Sequence, residues 1–136
     1  MPRPSLEGVT ICLRLTSAAL ERAEHGSMLL AQRTGHSPSR AAWLRLLIDH
    51  SLKGKAIKQS CNKENLHKHW PQVQVNAAEM TRQTVRLEDH QRILLRKFEC
   101  HVQALDWTLE IGRNEAALLL VELYADDLST HLRTQP

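Results

Sequence analysis

Val9-Thr10-Ile11-Cys12-Leu13-Arg14-Leu15 alternates apolar and polar side chains and runs directly into two helix-patterned stretches separated by Thr34-Gly35-His36-Ser37-Pro38-Ser39. A period of two puts Val9, Ile11, Leu13 and Leu15 on one face of a strand and Thr10, Cys12 and Arg14 on the other. The apolar face is expected to pack on the helices, which leaves the polar face outward. A lone strand has unpaired backbone donors and acceptors, so this one needs a partner strand. The expected source is a second copy of the chain.

Working outward, Thr16 or Ser17 can cap the first helix, whose inward stripe reads Ala19, Leu20, Ala23, Leu30 and Ala31. Gly26-Ser27 interrupts it. A mid-helix glycine costs about 1 kcal/mol relative to alanine, which marks either a kink or a close helix approach. Gly35 stands where a helix ends, and Ser37 or Ser39 caps the next one, with Pro38 presetting φ near the first turn. Ala42, Trp43, Leu44, Leu47, Ile48 and Leu52 then give a broad apolar surface, wide enough to face both the strand and a partner.

With the strand ending Leu13-Arg14-Leu15-Thr16, the Thr34-Gly35-His36-Ser37 turn, and Ala42-Trp43-Leu44-Arg45 leading to Leu47, Ile48 and Leu52, residues 9–53 resemble the ribbon-helix-helix family of DNA-binding proteins, the Arc and MetJ type. The resemblance implies a mainly α fold in which one N-terminal strand pairs across a dimer and two helices pack beneath it. It implies base contacts from Thr10, Cys12 and Arg14 in a major groove of duplex DNA. Arg14 is the strongest of these, since a guanidinium can donate two hydrogen bonds to guanine O6 and N7, whereas the Cys12 thiol is a weak partner. It also implies phosphate contacts from His36, Ser37 and Ser39, where a helix N-terminus offers unpaired N–H groups and a positive dipole end. Plain N-capping explains the same serines, and the two readings are compatible.

Around that module lie a proline-containing arm, residues 1–8 with Arg3, and a basic linker, residues 54–75. Lys53, Lys55, Lys58, Lys63 and Lys68 fall in or beside the linker, a solvated connector or a nonspecific DNA contact. Residues 76–136 read as a helical oligomerisation or partner-binding region. Leu95, Phe98, Val102, Leu105, Leu109, Gly112, Ala116, Leu119 and Leu123 follow the three-and-four spacing of a coiled coil or a helical hairpin. Gly112 ending one helix and Asn114 capping the next favours the hairpin. Ile111-Gly112-Arg113-Asn114 is also similar to an Ile-Gly-x-Asn signature of plasmid mobilisation accessory proteins.

Charge divides the chain. Residues 1–70 hold eleven Lys/Arg against five Asp/Glu, and residues 71–136 hold seven against ten, so the first half suits a polyanion and the second does not. One Phe, one Tyr and three Trp supply little for a base-stacking single-strand platform, which points to duplex DNA. Cys12, Cys61 and Cys100 lack a disulfide pattern, and no stretch approaches the ~20 apolar residues of a membrane span, so a cytoplasmic protein without membrane contact is expected.

No cofactor is expected. Cys61 with His67 and His69, or Cys100 with His101, invites a metal, but Cys100 and His101 diverge by about 100° on a helix. No nucleophile or phosphate-loop motif supports an enzyme. The expected protein is a sequence-specific DNA-binding homodimer, with a tetramer as the larger assembly. It would serve as a transcriptional repressor or a plasmid transfer or maintenance factor, with a relaxase as a partner of residues 76–136. The rival is an antitoxin that neutralises a toxin through the same residues.

Overall fold

The computed structural model describes residues 8–52, 61–74 and 79–134. Strand β1 (Gly8–Leu15) leads to α1 (Ser17–Thr34) and α2 (Arg40–Ser51), then α3 (Lys63–Val73), strand β2 (Thr81–Glu88), α4 (Asp89–Leu105) and α5 (Arg113–Thr134). Residues 1–7 of the arm, with Arg3, and the lysines Lys53, Lys55 and Lys58 lie outside the described residues.

β1 pairs antiparallel with β2 of the same chain, Gly8 opposite Glu88 and Leu15 opposite Thr81. This corrects the expectation that a second chain supplies the partner strand. Val85-Arg86-Leu87 repeats the alternation of Leu13-Arg14-Leu15, and each strand runs straight into a helix. Ile11, Leu13, Leu15, Val85 and Leu87 are buried, while Thr10, Cys12, Arg14, Arg82, Thr84 and Arg86 are exposed. Val9, near the end of the inner face, is also exposed.

The chain thus runs strand–helix–helix twice, with α3 between. Residues 81–88 form a strand within the stretch expected to be helical, and residues 63–73 form a helix within the expected linker. The three-and-four seam is broken at residues 106–112, as the hairpin reading requires, but Asn114 lies inside α5 and caps nothing. The Glu115 carboxylate instead accepts the Gly112 N–H at 2.7 Å.

Local chemistry explains the helix starts. Thr16 Oγ1 accepts the Ala19 N–H, Ser39 Oγ the Ala42 N–H, and Glu88 and Gln91 form a reciprocal capping box. Gly35 adopts φ 76°, the left-handed conformation that closes α1 by donating to the Ala31 carbonyl.

α5 is the central element. Ala116 through Val121 are buried without interruption, a surface that goes most of the way round the helix, because α1, α2, α3 and α4 all pack on it. One apolar cluster joins the two halves, with Trp43, Leu47 and Ile48 from the first and Phe98, Leu119 and Leu120 from the second.

Gly26 marks a close approach. A Cβ there would lie 2.0 Å from Nε1 of Trp43 and 2.4 Å from Cε2, so the buried indole occupies the space a side chain would need. Of the two sequence readings of this glycine, the close approach holds.

Candidate nucleic-acid interface

The exposed face of the ribbon is built from three opposed pairs, Thr10 with Arg86, Cys12 with Thr84, and Arg14 with Arg82. Their spacing follows from the backbone. Asn114 Oδ1 accepts the Arg14 N–H at 2.7 Å and its Nδ2 donates to the Arg14 carbonyl at 3.1 Å, so both peptide groups of Arg14 point away from β2. Arg14 and Arg82 are therefore a non-hydrogen-bonded pair, the kind in which opposed side chains stand closest, and alternation makes the other two outward pairs the same kind.

Asn114 occupies the open edge of β1 as a third strand would, satisfying backbone groups that an edge otherwise leaves bare. On β2 the corresponding task falls to Arg45, whose Nη1 donates to the Arg86 carbonyl at 3.4 Å. The two edges are thus closed by different side chains from α5 and α2.

Arginine dominates this face. Arg82 and Arg86 come from the half whose net charge is acidic, and β2 collects them beside Arg14. Like charges directly opposite one another destabilise a ribbon. An anion laid over Arg14 and Arg82 would relieve that cost. Beside the pair lies an open cleft of about 620 Å³, walled by Trp70 and Gln74 at the end of α3 and by Glu110 and Glu115.

Of the sequence-predicted contacts, Thr10, Cys12 and Arg14 share the exposed face of β1. His36, Ser37 and Ser39 lie in the turn entering α2; His36 and Ser37 are exposed, and Ser39 is the N-cap, its hydroxyl engaged by the Ala42 N–H at 3.1 Å. Arg40 opens α2 and Arg113 opens α5, so each second helix begins with a cation. Sequence reasoning missed Arg82, Thr84 and Arg86. The signal was the repeat of Leu-Arg-Leu as Val85-Arg86-Leu87.

The groups considered for metal binding are dispersed. His67 pairs with Asp106 at 2.7 Å and His69 with Glu122 at 3.5 Å, while Cys61 is buried and offers its carbonyl to His101. Among the described residues no three His, Cys, Asp or Glu side chains converge on one point. Burial pushes the Cys61 thiol up to about 11, so it stays protonated at neutral pH. Asp106 is held down to about 2 by the Thr108 hydroxyl, then by His67 and the Thr108 backbone N–H.

Among the described residues no helix is long and apolar enough to cross a membrane. No model of a protein family, no curated protein and no solved structure matches this chain.

Proposed function

We propose that this chain is a sequence-specific duplex-DNA-binding protein that carries two ribbon-helix-helix units in one polypeptide. One observation supports the reading above all others: a two-stranded ribbon whose exposed face carries Arg14, Arg82 and Arg86 with Thr10, Cys12 and Thr84, backed by a buried apolar face. Two antiparallel strands fit the width of a major groove, and alternate side chains then reach base edges.

In this reading Arg14, Arg82 and Arg86 donate to guanine O6 and N7, each bidentate contact giving about 1–3 kcal/mol of discrimination. Thr10 and Thr84 offer a hydroxyl and a methyl to bases or to the thymine methyl, and Cys12 an apolar contact at the ribbon centre. The turn with His36, Ser37 and Ser39, together with Arg40 and Arg113, holds the flanking phosphates at the two helix N-termini. The output is occupancy of a promoter, which represses, or of a transfer origin, where the Ile-Gly-x-Asn likeness would place it.

The test is selection from a random duplex library by wild-type protein and by Arg14→Ala at about 150 mM salt, where nonspecific attraction is screened. Wild-type protein is expected to enrich a motif that Arg14→Ala relaxes at one guanine. No enrichment by folded wild-type protein would remove the DNA reading.

A further inference from the structure

The two strands that form the ribbon are not copies, and the difference bears on what they read. Aligning Leu13-Arg14-Leu15 with Val85-Arg86-Leu87 makes Cys12 equivalent to Thr84, and these two are directly opposite in the register. The local two-fold of the ribbon therefore passes through the Cys12–Thr84 pair. That operation exchanges Arg14 with Arg86 and Thr10 with Arg82. Arg14 and Arg86 are a symmetric pair of cations, whereas Arg82 has only a threonine as its counterpart.

The surroundings break the symmetry in the same direction. The end of the ribbon that carries Arg14 and Arg82 is flanked by Trp70 of α3 and by Gln74, the residue that caps it, and α3 belongs to one half alone. Asn114 closes the edge at Arg14, and Arg45, a residue of different length and charge, closes it at Arg86.

Resting on the DNA-binding reading, we infer that one chain, with no second copy, reads a duplex site lacking two-fold symmetry: two guanines related by the ribbon axis, engaged by Arg14 and Arg86, and a third guanine, engaged by Arg82, with no symmetric mate. A homodimeric ribbon imposes its own symmetry on the operator and gives an inverted repeat. A ribbon made of unlike strands gives the site a direction. The bound chain then has a fixed orientation along the duplex, with α3 always toward the third guanine.

The experiment is the same selection carried out with wild-type protein, Arg82→Thr and Thr10→Arg, with the chains per duplex counted by sedimentation. Both substituted residues are exposed, and circular dichroism would check that each variant keeps its fold. Wild-type protein should enrich a motif with one unmatched guanine and bind it as one chain per site. Arg82→Thr should lose preference at that position alone, by roughly tenfold or more, and leave a symmetric motif. Thr10→Arg should add a fourth guanine at the symmetric position. A two-fold symmetric wild-type motif, two chains per site, or a motif unchanged by Arg82→Thr would overturn this inference while leaving DNA binding standing. Absence of any enriched motif would remove both.

Discussion

The halves β1-α1-α2 and β2-α4-α5 run through the same order of elements and distribute their large and small buried residues oppositely. In the first half the small residue is on the leading helix and the large one on the second, Gly26 against Trp43. In the second half the corresponding positions reverse, with Phe98 on α4 and Ala116 on α5, all four buried. Packing to interior density constrains summed volume more tightly than the identity of either contributor. Two repeats can therefore share an architecture while sharing little sequence, provided that a loss on one helix is met by a gain on its neighbour.

The sharpest way to break this comparison is to give the first half the second half's arrangement. Gly26→Phe alone should abolish cooperative unfolding, because the indole of Trp43 already fills that volume, while Gly26→Phe with Trp43→Ala should restore a transition in urea. If the double variant melts no better than the single, the halves are not volume-equivalent. Phe98→Ala, which opens a cavity where nothing compensates, is expected to cost about 3–5 kcal/mol by the same measurement.

A smaller effect concerns the edges. Asn114→Ala removes both side-chain bonds to Arg14, with an expected loss of about 1–2 kcal/mol, and should speed hydrogen exchange at the Arg14 amide. Arg45→Ala, which removes one long bond to a carbonyl, should change stability less. Equal losses would mean that the two edges are held alike.

Thiol chemistry separates the faces. Cys12 and Cys100 are exposed and Cys61 is buried. Alkylation by maleimide should be fast at Cys12 and Cys100 and slow at Cys61, where burial keeps the thiol protonated. A selected duplex should protect Cys12 and leave Cys100 reactive, as read by peptide mass. Protection of both, or of neither, would move the interface off the ribbon.

The least effect is expected at Asp106, which ties the loop 106–112 to His67 of α3. Its carboxyl falls from the usual 3.8 to about 2 in the fold. The contribution to stability is then complete above pH 4 and is lost as the pH falls through 2, since the unfolded chain takes up its proton first. Asp106→Asn should therefore flatten the acid limb of the unfolding curve in that window, being slightly less stable than wild type at neutral pH and converging with it as the pH falls through 2.

How much of this could be read in the chain depends on local contrast. β1 was legible because three buried aliphatic residues, Ile11, Leu13 and Leu15, alternate with polar ones. The turn at Gly35 and the break near Gly112 were legible because they rest on local backbone chemistry. β2 was not, since its inward positions begin with Thr81 and Gln83 and only Val85 and Leu87 are apolar before Glu88-Asp89 opens a helix. Two apolar residues do not define a period. The candidate interface suffered from averaging: an acidic total for the second half concealed Arg82 and Arg86, and only strand pairing brings them beside Arg14. α3 was hidden by its lysines, though Leu66, Trp70 and Val73 repeat at helical spacing and are buried.

Carrying both strands in one chain also changes how the ribbon responds to dilution. A ribbon assembled from two polypeptides falls apart as its concentration drops, and its melting temperature drops with it. Here the strands meet at an effective concentration fixed by the intervening chain, whatever the number of molecules present. The melting temperature should stay constant across a hundredfold dilution. A single molecule would be a complete reader, so occupancy of a site would rise with the first power of protein concentration rather than its square.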